Sequence, residues 1–157
     1  MKNELKFMVN GEPYELMIKP QRTLVEVLRN ELGLTGTKMT CDGSACGMCT
    51  VLIDGMAVKS CSILALQADG KQVTTIEGLA KEGQLHPIQQ AFVENGAIQC
   101  GWCTPAEVLT AKALLDRDPN PTEDEVKREI QGVLCRCTGY DAQVEAILAA
   151  AKKLGGG

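Results

Sequence analysis

A chain of 157 residues with a formal charge of −4, its acids and bases interspersed, has room for one medium domain or two small ones. It lacks the clustered basic face of a nucleic-acid binder. Only 3% of the residues are aromatic and 16 are glycine, so a core of side chains alone would be thin and its backbone costly to order. No run approaches membrane-spanning length, and Met1-Lys2-Asn3-Glu4-Leu5-Lys6 has no apolar signal core. A cytoplasmic chain is therefore expected, in which clustered cysteines bind metal rather than pair as disulfides.

Leu5, Phe7 and Val9 alternate, Asn10-Gly11 turns the chain, and Tyr14, Leu16 and Ile18 alternate again, which predicts a β-hairpin. Thr23 and Glu26 form a capping box ahead of a helix with Leu24, Val25, Leu28 and Leu32 on one face and Gly33 at its end. A cysteine loop follows, then a second hairpin, Thr50–Ile53 and Met56–Lys59 around Asp54-Gly55, and a short strand at Val73–Ile76. This order suggests a small mixed sheet wrapped on a helix.

Beyond Gly78 only helical patterns occur, and the polar stretch Lys81–Pro87 is the expected linker. His86, ahead of Pro87, reads as a helix N-terminal or surface residue rather than a ligand. A short helix is expected over Pro87–Asn95. A second opens at Thr104-Pro105-Ala106-Glu107, with Thr104 as N-cap and Glu107 as capping carboxylate. It is apolar on most sides (Ala106, Val108, Leu109, Ala111, Ala113, Leu114, Leu115) and so should be central and buried. Thr122 and Glu125 cap a third, with Val126, Ile130, Val133 and Leu134 as its stripe. Asp141 opens a fourth, with Val144, Ile147, Leu148 and Ala151 inward. The closing Gly155-Gly156-Gly157 should be disordered. The four helices predict a small bundle.

The eight cysteines fall into two sets of four with none left over. Cys41, Cys46, Cys49 and Cys61 have the plant-type spacing of a [2Fe–2S] site, three ligands from one loop and the fourth from a later segment. Such a cluster is anionic and becomes more so on reduction, so it needs a loop of small residues whose backbone N–H groups face the sulfurs. Asp42-Gly43-Ser44-Ala45 and Gly47 meet that need, and the Ser44 hydroxyl is an expected extra donor favouring the reduced state. The second set, Cys100, Cys103, Cys135 and Cys137, begins at a helix start, where free N–H groups favour anions. Arg136 is expected near that site or near a partner. Zinc stays open as an alternative for this set, because Cys-x2-Cys pairs are common at zinc, although the single residue between Cys135 and Cys137 weighs against it. Trp102 reads as packing around a metal site. The sequence has no phosphate loop, nucleophile–base constellation or flavin signature, so no catalytic residue is assigned and the chain reads as an electron conduit.

The motifs Leu34-Thr35-Gly36-Thr37-Lys38, Cys41-Asp42, Cys46-Gly47-x-Cys49-Thr50-Val51-Leu52, Gln99-Cys100-Gly101-Trp102-Cys103-Thr104-Pro105 and Leu134-Cys135-Arg136-Cys137-Thr138-Gly139-Tyr140 run across nearly the whole chain. Together they resemble the small iron–sulfur subunit of the molybdenum hydroxylases, the xanthine dehydrogenase superfamily. The resemblance implies an α+β chain: a β-grasp, plant-type ferredoxin-like [2Fe–2S] domain at residues 1–80, then an all-α four-helix [2Fe–2S] domain at residues 81–157. It implies partners too, a molybdopterin-binding large subunit and an FAD-binding medium subunit. Gln99 and Cys137 would contact the pterin edge. Electrons would pass from molybdenum through the Cys100 cluster and the Cys41 cluster to FAD, within a complex that oxidises or reduces a carbonyl or heteroaromatic compound. The sequence departs from the family pattern at Thr40, Ser44 and Ala106, where glycine is usual, at Met48, where a small residue is usual, and at Val133, where asparagine is usual. A stand-alone two-cluster carrier and a zinc-stabilised adaptor are the alternative readings.

Overall fold

The computed structural model describes residues 2–41 and 43–155. Asp42, expected to help wrap the first site, and Gly156-Gly157 of the expected tail lie outside the described residues. Strands β1 (Asn3–Val9) and β2 (Glu12–Ile18) pair antiparallel around Asn10 and Gly11. Both turn residues have positive φ, the geometry that matches the twist of a two-residue hairpin. The apolar residues of β1 (Leu5, Phe7, Val9) are buried. Helix α1 (Leu24–Glu26) starts at the expected Thr23–Glu26 capping box and continues as a wider π-type turn over Val27–Glu31. Its Leu24, Val25, Val27 and Leu28 are fully buried under the sheet.

Strands β3 (Thr50–Ile53) and β4 (Met56–Lys59) form the second hairpin, and β5 (Gln72–Thr74) completes a five-stranded mixed sheet in the order β2-β1-β5-β3-β4. Among the described residues, the β1–β5 pair alone is parallel. The last strand ends earlier than its apolar pattern suggests. The Thr75 N–H donates to the Asn10 side chain at 2.8 Å, and Ile76 opens a 3-10 turn instead of extending the ladder.

Helices α2 (Pro87–Glu94), α3 (Thr104–Arg117), α4 (Glu123–Ile130) and α5 (Asp141–Leu154) follow. His86 is the N-cap of α2, accepting from the Ile88 N–H. The helices enclose a core around Phe92, Leu109, Ile130 and Ile147, and α3 lies at its centre against the sheet, so that Leu52 and Leu79 join the helical core. Two expectations fail. Leu134 is 58% exposed, because the chain has left the α4 stripe by that point. Cys103 rather than Thr104 is the N-cap of α3, and Glu107 caps nothing: its side chain is fully buried. No helix among the described residues is long and apolar enough to cross a membrane.

Candidate metal centres

The first cysteine set hangs between α1 and the β3–β4 hairpin. Cys41, Cys46 and Cys49 lie on the loop entering β3, and Cys61 lies in the 3-10 turn Ser60–Ser62 directly after β4. The hairpin is thus what returns Cys61 to the loop. Cys41 Sγ accepts the Cys46 N–H at 3.5 Å. The N–H groups of Cys46, Gly43 and Ala45 draw its thiol down to about 6. Cys49 is the opposite case, pushed up to about 11 by burial. Burial also raises Cys61, but contacts to the Ser44 and Ser62 hydroxyls outweigh it and leave this thiol below its ordinary value. Ser62 donates to Ser44 Oγ at 2.7 Å, which leaves the Ser44 hydrogen for Cys61 Sγ at 3.5 Å.

The second set draws on three places: Cys100 ahead of α3, Cys103 at its N-terminus, and Cys135 and Cys137 on the α4–α5 connection. Cys103 and Cys135 are buried, whereas Cys100 and Cys137 are exposed and lie against each other. The set therefore has an inner pair and an outer pair. Gln99 and Arg136 are exposed beside the outer pair. Cys135 is drawn down to about 6: burial pushes it up, but the polar contact with the Thr138 side chain and the backbone N–H groups of Thr138 and Cys137 more than reverse this. Burial, then the neighbouring Glu107, push Cys103 well above its ordinary value.

The two sets meet. The Leu134 N–H donates to the Cys46 carbonyl at 2.8 Å, which places a backbone hydrogen bond between one residue of the first set and the neighbour of Cys135 in the second. Cys46, Met48, Cys103, Ala106, Val133 and Cys135 form one buried cluster. Trp102 is half-exposed, and its indole N–H donates to Thr40 Oγ1 at 2.7 Å with the Lys38 ammonium over its ring, so it clasps the two loops together. All eight cysteines are free thiols. Two thiol-rich sites with N–H and hydroxyl donors around their sulfurs fit thiolate-ligated iron–sulfur clusters.

A model of the "2Fe-2S iron-sulfur cluster binding domain" matches residues 7–80, and one of the "[2Fe-2S] binding domain" matches residues 75–148. The chain is 47% identical over 132 residues to the nicotinate dehydrogenase small FeS subunit of Eubacterium barkeri, covering 84% of each chain. It is 45% identical to the xanthine dehydrogenase iron-sulfur-binding subunit of Escherichia coli O157:H7, covering 89% of each. The chain belongs to the iron–sulfur subunits of the molybdenum hydroxylase family. The crystal structure of quinoline 2-oxidoreductase from Pseudomonas putida 86 superposes with a TM-score of 0.92 at 41% identity, over 96% of this chain and 94% of that one. This iron–sulfur subunit thus has the β-grasp and four-helix architecture and serves electron transfer in an oxidoreductase complex.

Sequence reasoning missed the buried polar groups behind the inner pair of the iron–sulfur subunit. Gln143, fully buried, donates to Cys103 Sγ at 3.9 Å and accepts from the Thr138 hydroxyl, which also touches Cys135 Sγ at 3.2 Å. The Tyr140 hydroxyl accepts the Cys135 N–H at 2.7 Å and donates to the Val133 carbonyl. Glu107 lies one turn beyond Cys103, and its carboxylate and the Cys103 and Cys135 sulfurs lie within 4.8 Å of one another. Burial pushes this carboxyl up to about 8. A glutamate inside a helix that is apolar on most sides was the signal that could have found it.

Proposed function

We propose that Cys41, Cys46, Cys49 and Cys61 hold one [2Fe–2S] cluster and that Cys100, Cys103, Cys135 and Cys137 hold a second. The chain then relays electrons, in the cytoplasm, between a molybdopterin-binding large subunit and an FAD-binding medium subunit. The observation that carries the relay is the Leu134 N–H to Cys46 carbonyl hydrogen bond, which gives the two sites a short bonded connection through a buried seam. Bound clusters would supply one-electron acceptance. The protein's own part is to keep the sites apart yet connected, and to offer a different face to each partner.

The outer pair supports the order of the relay. Cys100, Cys137 and Gln99 are exposed and stand among the exposed apolar side chains Ile98, Trp102 and Leu134. A patch that joins thiols to large apolar groups suits burial against another chain. We assign this face to the molybdopterin-bearing partner, with Gln99 and Cys137 at the pterin edge, and the Cys41 loop to the flavin side. The division into residues 1–80 and 81–157 places each cysteine set in its own half. That the named relatives are small subunits of dehydrogenases supports larger partners here. Substrate choice then rests with the large subunit.

Native purification should yield the chain with two larger subunits, carrying about four irons and four acid-labile sulfides. The reduced complex should give two distinguishable paramagnetic resonance signals, since the sulfur environments differ. A single signal accompanied by zinc at the second site, or an active carrier that purifies with no companion, would overturn the reading. Gln99→Ala should slow reduction by substrate while leaving both signals intact.

A further inference from the structure

The Lys38 ammonium stands where the two cysteine sets meet, and the relay as described gives it no part. It donates to the Thr35 carbonyl at 3.1 Å and lies over the Trp102 ring, 4.9 Å from the ring centre. The face of an aromatic ring attracts a cation, so two contacts hold a side chain whose freedom is otherwise large. The ring is itself fixed, because its indole N–H donates to Thr40 Oγ1 at 2.7 Å. Trp102 lies between Cys100 and Cys103 in the chain, and Thr40 is the neighbour of Cys41. The charge is thus tied to a ligand loop of each site. The other cations beside the cysteines serve one site each: Lys59 donates to the Ser44 carbonyl, and Arg136 stands beside the outer pair. Among the described residues no carboxylate pairs with Lys38. Glu77, which holds the same loop, is occupied by the Gly36 N–H and the Thr75 hydroxyl.

We propose that Lys38 is a fixed positive charge shared by the two clusters, which raises the reduction potential of both and so favours the state in which both are reduced. This rests on the two-cluster reading above and assigns one residue a role within it. Each cluster is anionic and gains a further negative charge on reduction, and its potential follows the charge around it. A cation held nearby stabilises the more negative form of either one. The Coulomb energy falls only as the inverse of distance, so the ammonium need not touch a sulfur. Oxidation of a carbonyl or heteroaromatic compound releases two electrons, and each cluster accepts one. A chain that holds both electrons at once gains from a cation set between its two sites. Lys38 acts through space, as a positioning residue for charge rather than a catalytic one.

The test is a redox titration of the intact complex, followed by paramagnetic resonance, across a charge series at this one position: Lys38→Arg, Lys38→Met and Lys38→Glu. Lys38→Arg keeps the charge and can stack on Trp102, so both potentials should stay near native. Lys38→Met keeps the stem without the charge and should move both potentials to more negative values. Lys38→Glu should move both further in the same direction. A role in packing alone gives no reason for the variants to fall in order of charge. Unchanged potentials in Lys38→Met and Lys38→Glu would overturn the proposal. So would a shift confined to one cluster, or a Lys38→Arg variant that falls as far as Lys38→Met. If Lys38→Glu fails to assemble its clusters, Lys38→Arg against Lys38→Met decides by the same criteria. Absence of a second signal in the native complex would instead overturn the two-cluster reading itself.

Discussion

Ser44 occupies left-handed backbone with φ 57°, where a side chain costs about 1 kcal/mol relative to glycine. That is the physical reason glycine is usual there in the family. In return the hydroxyl reaches Cys61 Sγ, and Lys59 donates to the Ser44 carbonyl at 3.0 Å. Ser44→Gly should therefore lower the first cluster's potential while leaving thermal stability equal or higher. Ser44→Ala keeps the strained backbone without the hydroxyl and should lower the potential with no gain in stability. Redox titration and a melting curve on each variant separate the two effects. Thr40 has a similar logic: glycine there could not accept the Trp102 indole N–H.

The α4–α5 connection and the loop entering β3 are in backbone contact, and Gly47 is the residue that permits it. A Cβ at Gly47 would lie 1.9 Å from the Gly132 carbonyl oxygen, and φ is +71°. Gly47→Ala should push the connection away and break the Leu134–Cys46 hydrogen bond, at a cost of about 3 kcal/mol. Electrons delivered from the second site should then reach the first at least about tenfold more slowly, a factor that corresponds to roughly 1.4 kcal/mol in barrier. Rapid-mixing kinetics that resolve the two signals would check this, and an unchanged inter-site rate would show that the connection is not the route. The capping box of α4 is independent of the seam. Thr122→Ala should cost about 1 kcal/mol and leave both potentials unmoved, as measured by denaturant unfolding and redox titration.

Across the whole molecule two cores are joined through α3. The sheet core around Leu5, Leu24 and Val51 is separate from the helical core around Phe92, Leu109 and Ile147, while Leu52 and Leu79 cross over to the latter. All four residues of the first cysteine set lie in the sheet half, so Cys135→Ser should remove the second cluster's signal and leave that of the first. Metal binding contributes to folding free energy, so the loss of stability should fall mainly on the helical half. Hydrogen exchange should show raised amide exchange in α4 and α5, with β1 and β3 still protected. Loss of both signals in a chain that remains folded would contradict this.

Much of this protein is legible locally. The hairpin at Asn10-Gly11, the capping boxes at Thr23 and Thr122 and the cysteine spacings each depend on residues a few positions apart, and short-range sterics and hydrogen bonding dictate their outcome. Cluster chemistry follows from ligand type and spacing, and both are written in the chain. The seam is not local. Met48, Ala106 and Val133 look like three unrelated departures from the family pattern, yet they pack together between the two cysteine sets. A larger, apolar residue at one of these positions is tolerable only because of what stands opposite. Likewise Glu107 reads as a cap until α3 is seen to begin at Cys103, and Gln143 is featureless until the fold buries it against a sulfur. The identity of the sites was set by cysteines close in sequence. Their connection and the donors around their sulfurs were decided by tertiary packing, because the groups that meet at the seam come from segments up to 89 residues apart (Cys46 to Cys135) and share an environment only after the helices close over the sheet.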